Sequence, residues 1–257
     1  MATATRPRSR SRSTRRFGVD IGGSGIKAAP VDLRSGTLID ERIRIETPSP
    51  ATPDAVVDVV VELVERFGWN GPVGCAFPGV VKEGTVLTAV NLHDEWRGVD
   101  ADALLTERLG MDVHMLNDAD AAGLAEVRYG AAKDRDGVVL LVTLGTGLGT
   151  ALFVDGHLVP NTELGHIEMH GQDAETLASE RARIEGDLSW KKWAKLLDEF
   201  LGHMEAFVNP DLIVLGGGGA KKADRFLPLL HRTCDVVPAA LLNDAGIVGA
   251  AMEAGQA

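Results

Sequence analysis

The chain alternates short apolar runs with glycine-bearing turns, and the spacing of its apolar positions changes along its length. Residues 17–20, 26–31 and 37–46 read as three strands, with Arg34-Ser35-Gly36 turning the second into the third. Thr52-Pro53-Asp54 opens a helix, with Thr52 as N-cap and Pro53 in its first position. Val56, Val60, Leu63, Val64 and Phe67 then recur at helical spacing until Gly68. Apolar runs at 73–77 and 113–116 predict buried strands, closed by Pro78-Gly79 and by Asn117-Asp118. Helix formers from 119 to 129 predict a helix ended by Gly130. Runs at 138–144 and 150–154 predict another strand pair. Trp193, Leu196, Leu197, Phe200, Leu201, Met204, Phe207 and Val208 form an amphipathic stripe closed by Asn209-Pro210, the mark of a helix packed on a core. A strand at 211–215, a glycine turn at 216–219 opening a helix, and a small-residue helix at 245–254 complete the pattern.

Two of the glycine turns share one plan. They are Asp20-Ile21-Gly22-Gly23-Ser24-Gly25-Ile26-Lys27 and Leu144-Gly145-Thr146-Gly147-Leu148-Gly149-Thr150. Each lies between two apolar runs, so each is a hairpin between strands. Glycine permits positive φ and lets backbone N–H groups face an anion. Two such turns suggest two half-sites gripping one phosphate chain, and hence phosphoryl transfer. The repetition also predicts two α/β subdomains flanking a cleft. Residues 17–118 form the first, with a C-terminal helix at about 245–257 returning to it, and 119–244 form the second. Residues 1–16 form a disordered arginine-rich arm.

Composition narrows the classes. The 257 residues are 45% hydrophobic but only 5% aromatic, so the cores consist mainly of Val, Leu, Ile and Ala. No apolar run is long enough to span a bilayer, and no signal-peptide segment follows the start. Cys75 and Cys234, the only cysteines, fit two reduced thiols in a cytoplasmic protein. Net charge is −11, and the six arginines of the arm leave −11 − 6 = −17 on the body. An acidic body does not attract nucleic acid or an anionic membrane.

The candidate chemistry lies at strand ends. Asp20 can hold Mg²⁺ against phosphate oxygens or cap the first turn; Ser24 and Gly25 offer donors, and Lys27 faces either phosphate or solvent. In Asn117-Asp118-Ala119-Asp120, Asp118 can accept the proton of an attacking hydroxyl, or Asp118 or Asp120 can simply cap the helix. Glu163, His166 and Glu175 suit hydrogen bonding to vicinal hydroxyls, with Glu168 and His170 as decoys. Three basic groups could attract a polyanion or be solvated faces: Lys191, Lys192 and Lys195; Lys221, Lys222 and Arg225; Arg181 and Arg183.

As a set these residues resemble the ROK family of sugar kinases, which have the actin-like ATPase (ribonuclease H-like) fold. The first turn is similar to that family's N-terminal phosphate motif, and Gly145-Thr146-Gly147-Leu148-Gly149 to its second phosphate loop. Asn117-Asp118-Ala119 matches its sugar-and-base motif, which makes Asp118 the general base. Glu163-Leu164-Gly165-His166 matches its sugar motif, and Glu175 the glutamate ending its signature. The family's zinc-binding cysteine cluster is missing between His166 and Glu175, so no structural zinc is expected. The zinc-free pattern is similar to an actinobacterial subgroup that phosphorylates glucose with inorganic polyphosphate. The runs 117–126, 159–163, 192–195 and 237–241 carry that likeness. It implies Mg²⁺, a homodimer, and glucose as acceptor. The substrate-binding set is Asn91, Asn117, Asp118, Glu163, His166 and Glu175. The phosphate-binding set is Asp20, Gly22, Gly23, Ser24, Gly25, Lys27, Gly145, Thr146, Gly147 and Gly149. Two alternatives stand beside this reading. One is an ATP-only glucokinase, with the 216–219 turn hosting adenine. The other is a sugar-responsive regulator, for which the 16 residues ahead of Phe17 are too few to form a helix-turn-helix domain.

Overall fold

The computed structural model describes residues 14–255, so most of the arginine-rich arm lies outside the described residues. β1 (Arg15–Gly22) and β2 (Gly25–Asp32) form the first hairpin, with Gly22 opposite Gly25. β1 begins two residues before the apolar run, because Arg15 and Arg16 pair with Asp32 and Val31 across the hairpin. β3 (Thr37–Leu38) and β4 (Ile43–Ile45) both pair with β2. The single strand expected over 37–46 is therefore two, since the exposed stretch 39–41 turns away from the sheet between them. α1 (Pro53–Arg66) starts where expected, with the Thr52 hydroxyl accepting from Ala55 N–H at 3.4 Å. β5 (Val73–Phe77) runs parallel to β1.

Three short elements follow that apolar periodicity does not reveal: the hairpin of β6 (Val81–Lys82) and β7 (Thr85–Val86), and α2 (Ala101–Leu109). β8 (Val113–Asn117) then closes the first sheet, in the order β3-β2-β1-β5-β8. Phe17, Val57, Leu63, Phe77 and Trp96 are among the fully buried side chains of its core.

α3 (Asp118–Tyr129) leads from β8 to the second sheet. There β9 (Val138–Leu144) and β10 (Leu148–Val154) form a hairpin around the second glycine turn, edged by β11 (His157–Val159). A small hairpin of β12 (Glu168–Met169) and β13 (Gln172–Asp173) precedes α4 (Glu175–Ala178) and α5 (Glu180–Glu185). α6 (Trp190–Val208) buries most of the amphipathic stripe, with Trp193, Leu197, Phe200, Leu201 and Met204 inaccessible to solvent, whereas Phe207, expected to pack on the core, is 62% exposed near the helix end. β14 (Leu212–Gly216) is parallel to β9, α7 (Ala223–Phe226) follows the third glycine turn, and β15 (Asp235–Pro238) is parallel to β14. The order is β11-β10-β9-β14-β15. In each sheet the strand leading into a glycine hairpin also has a parallel partner, so each turn sits beside the carboxyl ends of parallel strands. Ligands of α/β sheets bind at such ends.

α8 (Ala245–Glu253) packs on β1, β5 and α3. The approach is backbone to backbone. A Cβ on Gly74 of β5 would overlap the Ala250 carbonyl, and one on Gly249 would overlap the Ala121 carbonyl of α3. The segment before α8 is tied down by Glu126 of α3, which is 1% exposed and accepts from the N–H groups of Ala131, Ala240 and Leu241 at 2.7, 3.0 and 2.7 Å. No helix among the described residues is long and apolar enough to cross a membrane.

The α8 seat makes a stability prediction. Gly74→Ala must push α8 off the sheet and should destabilise the protein by about 1–3 kcal/mol, the usual cost of overpacking a filled core. Urea denaturation reads this directly, and an unchanged midpoint would show that α8 does not rest on the β5 backbone.

Candidate active site

The carboxyl ends of β1, β5, β8 and β9 meet at a cavity of about 300 Å³. Asp20, Gly22, Gly23, Ser24, Gly25 and Lys27 line it from the first turn, and Gly145, Thr146, Gly147 and Gly149 from the second. Asn91, Asn117, Asp118, Glu163, His166 and Glu175 line it as well, so every member of the expected substrate-binding and phosphate-binding sets faces this one space. Sequence reasoning missed further walls of the same cavity: Pro78 and Gly79 after β5, Thr143 on β9, Asn243 just before α8 and Gly246 in its first turn. The apolar pattern gave no signal for Asn243 or Gly246.

Gly145 apart, where a side chain would meet nothing, the glycines of the two turns are needed for space rather than for backbone angle. None of those lining the cavity from either turn has a positive φ; in this cavity that conformation falls on Gly217 and on Leu242, whose φ is 50°. A side chain on Gly23 would press on Asn91, one on Gly147 on the Glu175 carboxylate, and one on Gly149 on Thr143 and Ala119. The expectation of positive φ in these turns is thus corrected: tight strand pairing closes them, and glycine keeps their inner faces bare.

Asp20 and Lys27 are cross-strand partners in the β1–β2 hairpin, and the ammonium lies 3.0 Å from Asp20 Oδ2. Lys27 therefore faces the cavity rather than solvent. Asp118 is the first residue of α3, and the N-cap is Asn117, whose side-chain oxygen accepts from Ala119 N–H at 2.9 Å and Asp120 N–H at 3.0 Å. Capping is thus supplied by Asn117, not by Asp118 or Asp120. Asn117 also donates to Gly79 C=O at 3.1 Å and reaches Glu163 Oε1 at 3.5 Å.

Asp120 turns away from the cavity. It is 2% exposed and accepts from Asn161 N–H at 2.7 Å. Asn161 in turn exchanges side-chain hydrogen bonds with the backbone of Val81, at 3.0 and 2.9 Å. The Thr150 hydroxyl donates to Thr162 C=O at 2.5 Å and accepts from Leu164 N–H at 3.1 Å. These bonds fix the segment that presents Glu163. His166 Nε2 lies 3.5 Å from Glu163 Oε2, and its Nδ1 lies 3.1 Å from Asp173 Oδ2, so Asp173 orients the ring. Trp193, from the core stripe of α6, donates to Ala178 and Ser179 carbonyls at 3.0 Å and pins the end of the helix that Glu175 begins.

Glu168 and His170 stay outside the cavity, with His170 paired to Glu199 at 3.0 Å. The basic groups stay outside as well. Arg225 pairs with Asp224, and the Arg183 guanidinium stacks 4.1 Å over the Trp190 ring.

The carboxylates crowd one another. Burial, then the Asp20 carboxylate, and more weakly Glu163 and Asp120, push Asp118 up to about 7 against the lowering effect of Ala119 N–H. Burial and Glu163 raise Asp120 to about 7, opposed by Asn161 N–H. Glu163 is raised by burial and Glu175, with His166 opposing. An acid poised near neutrality in a cleft is a mark of proton-transfer chemistry.

Comparison with known proteins decides the family. The model of the ROK family matches residues 16–185. The chain belongs to the ROK family. It is 51% identical to a polyphosphate glucokinase of Mycobacterium tuberculosis, over 92% of this chain and 89% of that protein. The structure of an inorganic polyphosphate/ATP-glucomannokinase from Arthrobacter sp. strain KM superposes with a TM-score of 0.91 at 49% identity, covering 93% of this chain and 98% of that one. A ROK glucokinase from Streptomyces griseus, solved with glucose and AMPPNP, gives a TM-score of 0.83 at 26% identity, covering 95% and 100%. The protein thus has the actin-like ATPase fold of the ROK sugar kinases.

The raised Asp118 carboxyl has a stability signature. Between the ordinary value of 3.8 and about 7 the folded protein binds a proton that the unfolded chain has released. This group's contribution to stability is therefore greatest below that window and falls as pH rises through it. Asp118→Asn removes the effect, so the variant should gain stability relative to wild type between pH 5 and pH 8 in urea denaturation. A pH-independent difference would mean that Asp118 titrates normally.

Proposed function

We propose that the protein transfers the terminal phosphoryl group of inorganic polyphosphate to the 6-hydroxyl of glucose, giving glucose 6-phosphate and a chain one phosphate shorter. One observation carries this reading. Glycine turns from two separate sheets border a single cavity, with a carboxyl poised near neutrality in its wall and Glu163-His166 beside it. The likeness to the Mycobacterium and Arthrobacter kinases supports polyphosphate as donor and glucose as acceptor. ATP is a second donor in this reading, supported by the two solved relatives and by Gly217 and Gly218 at the cavity edge.

In this mechanism Asn91, Asn117, Glu163, His166 and Glu175 hydrogen-bond the sugar hydroxyls and present the 6-hydroxyl to Asp118. The Asp118 carboxylate accepts its proton as the sugar oxygen bonds to the terminal phosphorus and the bridging P–O bond to the donor breaks. A base of pKa near 7 is stronger than an ordinary aspartate and still substantially ionised at neutral pH. The bare inner faces of the two turns, with Ser24, Thr146 and Lys27, hold the phosphates through N–H, hydroxyl and ammonium donors.

The residues fit a magnesium ion bound chiefly through substrate. Such an ion takes one or two carboxylates and completes its shell with water and phosphate oxygens. Asp20 offers one carboxylate, and no group of three His, Cys, Asp or Glu among the described residues could make an all-protein cage. When bound, magnesium would offset charge on the donor phosphates. The reading includes no structural zinc. Residues 17–118 and 119–244 are taken as the two subdomains of a cytoplasmic homodimer, with α8 returned to the first.

Assays of glucose 6-phosphate formation with each donor alone test this. Turnover is expected with polyphosphate and with ATP, and activity with ATP alone would remove polyphosphate from the account. With saturating donor, kcat/KM for glucose should rise with pH to a plateau above about 7 as Asp118 ionises. A profile flat from pH 5 to 8 would contradict its role as base.

A further inference from the structure

β4 lies across the first glycine turn. Thr47, just past its end, hydrogen-bonds Gly22 C=O, and Arg44 Nη2 donates to Ser24 C=O at 2.5 Å. The guanidinium occupies the space that a side chain on Gly25 would need. Ser24 and Gly25 both line the cavity, so the guanidinium that contacts them stands next to its edge. The register of β2 and β4 places Arg44 directly opposite Lys27. Direct cross-strand partners project from the same face of a sheet, and like charges so placed are destabilising. Asp20 pairs with Lys27, whereas no carboxylate in the described residues pairs with Arg44, whose only polar contact is the Ser24 carbonyl. Among the described residues the remaining N–H groups of its exposed fork have no hydrogen-bond partner. Two cations that project from one face of the sheet beside the glycine turn, one of them with no carboxylate partner among the described residues, form an arrangement that an anion completes.

We propose that Arg44 is a donor-binding residue, whose guanidinium hydrogen-bonds non-transferred phosphates of the polyphosphate or ATP chain beside the first turn. Glycine at position 25 is what allows it to lie there. This inference rests on the phosphotransferase reading above. It adds a contact from outside the turn motif, carried by a strand that the apolar pattern merges with its neighbour.

Steady-state kinetics of the full-length protein with long-chain polyphosphate, tripolyphosphate and ATP test it. Arg44→Ala should raise KM for each donor by about tenfold, the scale of one charge-assisted hydrogen bond lost. KM for glucose and kcat should stay within about twofold. Arg44→Lys should recover part of the loss, because it keeps the charge without the fork. Gly25→Ala displaces the guanidinium without removing it and should raise donor KM in the same direction. Donor KM unchanged in Arg44→Ala, or KM for glucose and donor rising together, would overturn the proposal and leave Arg44 as a brace for the turn. Wild-type protein inactive with every donor would overturn the phosphotransferase reading itself.

Discussion

Helix α8 rests on the backbone of β1 and β5 and on the backbone of α3, with glycine at the points of contact. This seat ties the first sheet to α3, which leads into the second. It brings the end of β1, which carries Asp20, against Gly246 at the start of α8, where a Cβ would stand 3.1 Å from the Asp20 carboxyl carbon. It also fixes α3, whose first residue is Asp118. The cavity forms where these elements cannot close completely. Its walls are therefore set by core packing that contains no chemistry of its own, and a change at Gly74 or Gly249 should reach the carboxylates through the backbone.

Charge is the second constraint. Asp20, Asp118, Glu163 and Glu175 share one small space, with Asp120 buried close behind. Burial raises the Asp118, Asp120 and Glu163 carboxyls, and the negative charges beside them add to it. The cations nearby are specifically placed, Lys27 on Asp20 and Arg44 beside the first turn, and the His166 ring lies between Glu163 and Asp173. Such a site disfavours the ionised form of Asp118. The same imbalance that costs stability leaves Asp118 able to take a proton near neutral pH.

Much of this was legible in the sequence, and the reasons for the exceptions are physical. Strands 73–77 and 138–144 and the α6 stripe are long, apolar and bounded by turn residues, so burial alone specifies them. The residues facing the cavity were found because their types suit phosphates and hydroxyls, although their roles rest on the kinase reading. The φ argument for the glycine turns did not hold, because pairing geometry does not need left-handed residues there and only three-dimensional neighbours show what the missing Cβ leaves room for. β4 was merged with β3 because residues 39–41 carry no breaker. Asp173, Asn243 and Gly246 reach the site through hairpin register and helix docking, which apolar spacing does not encode.

The central claim is that Asp118 acts on the proton of the sugar hydroxyl while other residues bind the sugar. Paired measurements on Asp118→Asn test it most directly: glucose affinity by isothermal titration calorimetry, and glucose 6-phosphate formation from polyphosphate. The account predicts glucose affinity close to wild type, with kcat reduced by about 10²–10⁴-fold, the range for loss of a positioned base. Near-normal kcat, or loss of glucose binding sufficient to explain the lost turnover, would contradict it.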